Sequence, residues 1–159
     1  MAAPQDINPT NIPSDDDVVL LEELPPSIHS LPSPETVRET ARQLGFGNTD
    51  RQGRPPPVKF PSLGLIVKYG CEVSLAEARC LVLVRKHLRT VPVPEVYGWR
   101  MDGKQSFIYM ELIAGPTLQE SWDELDDDAR VAICQELRTM VKAWRGLFPD
   151  VCGNAPYIG

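Results

Sequence analysis

The chain has 159 residues and a formal net charge of −6, which disfavours binding to nucleic acid or an anionic membrane because either would need a basic stripe. No apolar run approaches the roughly 18 residues that span a bilayer, and the N-terminal residues lack the basic and apolar regions of a signal peptide. The sequence therefore predicts a cytoplasmic protein whose partners are neither nucleic acids nor membranes.

The four cysteines, at positions 71, 80, 134 and 152, are predicted to be reduced and mostly buried thiols. They form no CxxC pair and show no regular spacing, and neither histidine lies at a metal-ligand interval from them. Their spacing indicates neither a zinc site nor disulfide bonds.

Residues 1–32 are rich in Pro, Asp, Asn and Ser, a composition typical of a flexible arm. A helix is predicted after this arm, because Ser33 can cap it, Pro34 suits its first position and an acid follows. Gly45 can end the helix. Residues 46–57 are rich in Gly and Pro and are predicted to be a loop.

Two strands and a helix are predicted next. Residues 58–60 and 64–70 favour strands, and the second segment contains β-branched residues and closes with a glycine. Ser74 followed by Glu77 has the form of a capping box at the start of a helix. The apolar face of that helix is formed, at helical spacing, by Ala78, Leu81, Val82 and Leu88. Two prolines then force residues 90–94 into an extended chain.

An antiparallel hairpin is predicted around the turn at Asp102 and Gly103, which lies between the apolar segments 95–100 and 106–112. Ile113 begins a short Ile-Ala-Gly-Pro stretch that breaks the second strand. The hairpin and the earlier strands together predict a small, mainly antiparallel sheet.

Two helices are predicted after the hairpin. Thr117 and Glu120 form a second capping-box pattern, and three aspartates at 126–128 suit the positive end of a long helix. The long helix carries an apolar stripe made of Val131, Cys134, Leu137, Val141, Trp144 and Phe148. In this order the elements predict an α+β protein.

Lys68 and Glu77 are the first candidate site residues. A lysine on a strand needs a partner for its charge, and a carboxylate on the helix packed beside that strand can supply it. Kinase-type enzymes use this pair to hold nucleotide phosphates. The alternative is structural: Lys68 is a solvated strand residue, and Glu77 caps its own helix.

The end of the second hairpin strand resembles a kinase hinge. In the segment IYMELIAG, Met110 occupies the gatekeeper position, and the backbone groups of Glu111 and Ile113 are candidates for binding the edge of an adenine ring. An extended strand end can offer unpaired donors and acceptors to a flat base. An ordinary buried strand running into a loop would give the same pattern.

Several segments taken in order resemble the fungal branch of the aminoglycoside-phosphotransferase-like family. They are VKFPSLGLIVKYG, EAR at 77–79, VPVPEVYGWR, FIYMELIAGPTLQESWDEL and QELRTMVKAWRGL. The resemblance covers residues 58–159. It implies a kinase-like small lobe at 33–113, a hinge, and the first helices of a larger lobe at 114–159. It also implies an ATP site at Lys68, Glu77, Met110, Glu111 and Ile113.

The sequence departs from this family in its catalytic parts. It contains no HGD motif, so the catalytic-loop aspartate and the metal-binding aspartate that follows it have no counterparts. It also has no glycine-rich phosphate loop, because RQGRPPPVKF holds one glycine and three prolines. Phosphoryl transfer and Mg²⁺ binding are therefore not expected from this chain alone.

Three hypotheses follow from the sequence. In the preferred hypothesis the chain is the nucleotide-binding N-terminal portion of a small-molecule kinase, shortened by truncation or by the boundaries of a gene prediction. The apolar stripe of the long helix would then be covered by a larger lobe. The second is a stand-alone binding module that covers this helix by forming a homodimer or by docking on a partner. The third is an isomerase or cyclase of fungal secondary metabolism that reuses the pocket under the hinge.

Overall fold

The computed structural model describes residues 24–25, 28–46 and 53–146. These residues form four α-helices, which are α1 (Pro34–Gln43), α2 (Leu75–His87), α3 (Leu118–Ser121) and α4 (Asp127–Arg145). They also form four strands, which are β1 (Val58–Phe60), β2 (Leu65–Gly70), β3 (Val96–Asp102) and β4 (Gln105–Glu111). Short 3-10 turns occur at Pro61–Leu63 and Trp122–Glu124. The α+β class predicted from the sequence is confirmed.

The four strands form one antiparallel sheet in the order β1-β2-β4-β3. The 3-10 turn after β1 ends at Gly64, whose φ is +62°. The predicted hairpin of β3 and β4 is confirmed, and Gly103 in its turn has a φ of +61°. This positive φ suits glycine because a side chain would be strained there. A β-bulge between Val96 and Gly98 interrupts the outer strand.

Side-chain alternation along β2 divides the core between the two faces of the sheet. Leu65, Val67 and Tyr69 belong to one buried cluster, which also contains Val37 and Ala41 of α1. Ile66 packs against a second cluster, formed by Val73, Leu75, Ala78, Val96, Trp99, Ile108 and Met110. Helix α1 thus covers one face, and the first half of α2 covers the other. Lys68 has the same parity as Ile66 and lies on the α2 face.

Helix α1 begins as the sequence predicts, because the Ser33 hydroxyl accepts a hydrogen bond from the Thr36 amide at 3.1 Å. Arg38 then ties the helix to the hairpin. Its Nε donates to Gln105 Oε1 at 2.8 Å, and its Nη2 lies 2.6 Å from Asp102 Oδ2. The same guanidinium lies 5.1 Å from the ring centre of Phe107, a cation–π arrangement.

Part of the segment predicted to be a flexible arm packs on the core. Ile28 is 3% exposed and belongs to the α1-side cluster, and Leu24 and Leu31 pack against it. The Ile28 amide also donates to the Pro25 carbonyl at 2.8 Å. Residues 1–23 and 26–27 of the predicted arm lie outside the described residues. The packed structure therefore starts before the helix at Pro34.

Tyr109 is buried in the α1-side cluster, and its hydroxyl has no hydrogen-bond partner among the described residues. Burial raises the pKa of Tyr109 to about 12, and the positive charges of Arg100 and Arg38 act in the opposite direction. Tyr109 therefore packs as a neutral aromatic residue at neutral pH.

The prediction of mostly buried thiols is wrong for the described cysteines. Cys71, Cys80 and Cys134 are free, but all three are exposed. Cys71 lies in the turn after β2, while Cys80 and Cys134 lie on outward faces of α2 and α4. Position 152 lies outside the described residues. Their burial was overestimated because cysteine is often buried in proteins generally.

The chain divides into two compact units. The first unit contains Pro94–Leu112 and the residues up to Val82, and the second contains Leu83–Val93 and the residues from Ile113 onward. In the second unit, α3 begins with the predicted capping box of Thr117 and Glu120. The three predicted aspartates do start α4, where the Asp126 side chain accepts from the Ala129 amide at 2.7 Å.

Helix α4 has exposed apolar side chains along its predicted stripe. These are Val131, Leu137, Val141 and Trp144, which are 39–55% exposed. Phe148 lies outside the described residues. Within the described part of the chain, no helix combines the length and apolar character needed to cross a membrane.

Candidate functional site

Lys68 and Glu77 contact each other across the α2 face of the sheet. The Lys68 ammonium forms an ion pair with Glu77 Oε1, so the two predicted site residues are brought together. Their side chains are 33% and 27% exposed, which leaves the pair within reach of solvent. An ion pair at this level of exposure contributes about 0–1 kcal/mol to stability, so its main effect is to orient the lysine.

Arg54 is a third member of this cluster, and no sequence pattern indicated it. Its Nη2 lies 3.0 Å from Glu77 Oε2, so the two oxygens of one carboxylate bind two different cations. The Arg54 side chain is 58% exposed. Arg54 and Glu77 are separated by 23 residues, and only the folded chain brings them together.

In the capping box predicted at the start of α2, the bond predicted for the Glu77 side chain is wrong. The Glu77 carboxylate binds Lys68 and Arg54 instead of capping its own helix. The Ser74 hydroxyl accepts a hydrogen bond from the Ala76 amide at 3.2 Å. The carboxylate contacts two cations in this arrangement, whereas in the capping box it would accept one bond from an amide. Glu77 thereby becomes available to orient Lys68.

The predicted hinge begins at the end of β4. Met110 is 4% exposed and belongs to the same cluster as α2, while Glu111 is the last residue of the strand. The Leu112 amide donates to the Gly64 carbonyl at 2.8 Å, which continues the pairing with the neighbouring chain by one bond. Ile113 is 60% exposed and is the first residue of this stretch to belong to the second unit.

The Glu111 side chain alters the pairing between β4 and the chain before β3. Val96 is paired with Met110, so Glu95 and Glu111 would be the next pair and would exchange two backbone hydrogen bonds. The Glu111 amide does donate to the Glu95 carbonyl at 2.8 Å. The Glu95 amide, however, donates to Glu111 Oε2 at 3.1 Å. The Glu111 carboxylate thus accepts the hydrogen bond that the Glu111 carbonyl would accept from the Glu95 amide in a regular antiparallel ladder.

The hydrogen bond from the Glu95 amide to the Glu111 carboxylate bears on the predicted hinge. The Glu111 amide donates to the Glu95 carbonyl, so the carbonyl is the backbone group of Glu111 that we consider for a ligand. A carbonyl accepts hydrogen bonds, and the exocyclic amine of an adenine ring donates them. Glu95 and Glu111 are 16 residues apart, and no sequence pattern indicated their contact.

The second unit contains an open pocket of about 280 Å³ beside α4. It is lined by Trp122, Arg130, Val131, Cys134, Gln135 and Arg138. The Arg130 guanidinium lies 5.6 Å from the centre of the Trp122 ring and donates to the Trp122 carbonyl at 3.0 Å. The lining is mainly apolar with a basic border.

The described residues contain no group of three or more His, Cys, Asp or Glu side chains that could hold a metal ion. Both oxygens of the Glu77 carboxylate contact cations. Magnesium prefers oxygen ligands and tolerates little deviation from octahedral geometry. The donor set at this cluster therefore does not fit a resident Mg²⁺ ion.

In comparisons with known proteins, no protein-family model, curated protein or solved structure matches this chain.

Proposed function

We propose that the chain is the nucleotide-binding portion of a small-molecule kinase of the aminoglycoside-phosphotransferase-like type, with ATP as its ligand. The observation that carries this proposal is the ion pair between Lys68 on β2 and Glu77 on α2. A lysine held by a carboxylate on a strand and helix of this order is the arrangement by which kinases position nucleotide phosphates.

Lys68 would bind the phosphate groups. Its ammonium carries three donors, and Glu77 orients it from one side. One third of its side chain is exposed, so a phosphate oxygen can approach without displacing core residues. The net energetic cost is small, because the ion pair with Glu77 contributes little to folding and Lys68 can share its donors between the two anions.

The adenine ring would bind at the end of β4. The Glu111 carbonyl is the acceptor for the exocyclic amine, since the Glu111 carboxylate binds the Glu95 amide. Ile113 would supply the second backbone group of the hinge, as the resemblance implies. Met110 would limit how deeply the adenine ring can enter, because the Met110 side chain is almost fully buried in the same cluster as Ile108 at the end of the strand.

We propose nucleotide binding, and not phosphoryl transfer, for the cluster of Lys68, Glu77 and Arg54. Phosphoryl transfer in this class needs a catalytic carboxylate and a bound Mg²⁺ ion. The carboxylate of this cluster, Glu77, is assigned to orienting Lys68, so neither of these roles is assigned to it. The acceptor hydroxyl would be bound and activated by residues other than those of this cluster.

Replacement of Lys68 by methionine tests the proposal. We expect ADP to bind the wild-type chain and the affinity to fall about tenfold or more in Lys68→Met, because a charge-assisted hydrogen bond to phosphate is lost. The free energy of unfolding should change by less than about 1 kcal/mol, since the exposed ion pair contributes little. Isothermal titration calorimetry and urea denaturation give the two quantities.

Lys104→Met is the matched control, because Lys104 is an exposed lysine in the hairpin turn of the same unit. It should leave the ADP affinity unchanged. Equal ADP affinities for the wild type and Lys68→Met would reject the proposal, and so would the absence of ADP binding by the wild type. A large loss of stability in Lys68→Met would instead assign the lysine a structural role.

A second candidate function, a stand-alone interaction module, is favoured by the exposed apolar face of α4. Leu137 and Trp144 are each 47% exposed, although both are large apolar residues on one helix. If this face binds a second copy, the solution mass should be twice the 17.7 kDa of the monomer, and Leu137→Glu should restore the monomer. Multi-angle light scattering would measure both masses. A monomeric wild type at high concentration would exclude the homodimer.

A further inference from the structure

The loop that carries Arg54 is fixed against the turn after β2. The Glu72 amide donates to the Gly53 carbonyl at 2.7 Å. Gly70 approaches the same loop closely: a Cβ on it would contact the Gly53 carbonyl oxygen and lie 2.8 Å from Cδ of Pro55. Pro55 itself is buried. Arg54 is therefore presented to Glu77 from a defined backbone position, although its own side chain is exposed.

The cluster of Arg54, Lys68 and Glu77 carries an excess positive charge. Glu77 offers one negative charge to two cations, so the three groups sum to +1. All three side chains are at least one quarter exposed. Two cations held at one carboxylate repel each other, and a multivalent anion placed between them would reduce that repulsion. The sum for these three groups is opposite in sign to the net charge of −6 for the whole chain, and the Glu72 carboxylate lies beside Gly53 in the same region.

Arg54 also has unused donors of the right geometry. A guanidinium has five N–H donors in a planar fork that matches two phosphate oxygens. Among the described residues, the hydrogen bond of Arg54 to Glu77 uses Nη2 alone. The neighbouring prolines at 55–57 have no amide hydrogens, so the backbone of this loop cannot surround a phosphate as a glycine-rich loop does. A side chain has to supply those donors.

We infer that Arg54 and Lys68 form a two-cation site for the phosphate groups of a nucleoside di- or triphosphate. Arg54 turns part of its fork from Glu77 to the phosphates, and Lys68 binds them while it remains oriented by Glu77. This assignment rests on the proposed nucleotide-binding function for the identity of the base. The anion site itself depends only on the three charged residues and the anchored loop.

Calorimetric titration of the full chain with three probes, ADP, pyrophosphate and adenosine, tests this inference. Arg54→Ala should weaken the binding of ADP and pyrophosphate about tenfold or more, because charge-assisted contacts to phosphate are lost. Adenosine affinity should change less than about twofold, since adenosine has no phosphate. Arg54→Lys should give an intermediate loss, because it keeps the charge but not the fork. Lys104→Ala is the control for loss of one positive charge.

The outcomes separate the anion site from the nucleotide-binding function. If Arg54→Ala binds ADP and pyrophosphate as tightly as the wild type, the assignment of Arg54 is wrong. If the wild type binds pyrophosphate as well as ADP and binds no adenosine, and Arg54→Ala loses pyrophosphate, the anion site stands and the nucleotide function fails. A wild type that binds none of the probes rejects both. Because Arg54 is exposed, its variants should unfold at the wild-type temperature, which thermal denaturation would verify.

Discussion

Phe107→Ala is expected to lower the free energy of unfolding by about 3–5 kcal/mol. The Phe107 ring is fully buried and stacks on Tyr69 with the ring centres 5.5 Å apart. The Arg38 guanidinium carbon lies over the Phe107 ring, 5.1 Å from its centre. Removal of the Phe107 ring would leave a cavity between the sheet and α1 and would also cost the cation–π contact. Urea denaturation followed by tryptophan fluorescence would measure the loss.

Phe60→Ala is the matched control, because Phe60 packs against the same cluster but lies half-buried on the short outer strand β1. Its loss should be smaller than that of Phe107→Ala. If Phe107→Ala does not fold, Phe107→Leu should fold and cost less than about 1.5 kcal/mol, since it keeps most of the volume. A loss below about 1 kcal/mol for Phe107→Ala would contradict its central place in the core.

Gly70→Ala is expected to destabilise the protein by about 3 kcal/mol, through both backbone strain and steric overlap. Gly70 has a φ of +136°, a region that side chains disfavour, and the added methyl would meet the Gly53 carbonyl and Pro55. Gly103→Ala separates the two causes, because Gly103 has a φ of +61° and open space around its Cα. It should cost only about 1 kcal/mol, from the backbone alone.

The same variant should also affect the anion site. Because the methyl group would push the Gly53–Pro55 loop away from the turn, Arg54 would move away from Glu77. We therefore expect Gly70→Ala to weaken pyrophosphate binding, measured below its unfolding temperature, while Gly103→Ala leaves it unchanged. A Gly70→Ala protein with wild-type stability would show that the loop can move aside without cost.

Structure that depends on near neighbours in the chain could be predicted from the sequence. The caps at Ser33 and Thr117 form as expected, and so do the start of α4 at the three aspartates and the hairpin turn at Gly103. In each case the interacting residues lie within four positions of one another, so a short pattern contains all of the relevant chemistry. The contact of Lys68 with Glu77 is only slightly less local, because it joins a strand to the next helix.

Contacts between distant segments could not be predicted in the same way. The Arg54–Glu77 and Glu95–Glu111 interactions join segments that meet only after the sheet has assembled in the order β1-β2-β4-β3. The strand order itself is set by core packing on both faces, and no local pattern encodes it. Arg54 in particular lies in a Gly- and Pro-rich loop whose composition indicates only irregular structure.

Burial was the property that sequence composition predicted least well. Ile28 lies in a Pro- and Ser-rich segment, yet it is buried because this segment folds back on the α1 side of the sheet. Cys80 lies in a helix with a predicted apolar face, yet it is exposed because another face of α2 packs on the sheet. Average tendencies of a residue type do not specify which side of an element is covered.

The outer strands of the sheet have a consequence for self-association. Strand β1 is only three residues long, and its central residue, Lys59, is exposed. Pro57 precedes the strand and Pro61 follows it. Strand β3, at the other border, is interrupted by its bulge. Short, charged, proline-bounded or kinked borders are poor templates for an incoming strand. Among the described residues, both margins of the sheet are therefore poor sites for adding a strand from a second molecule.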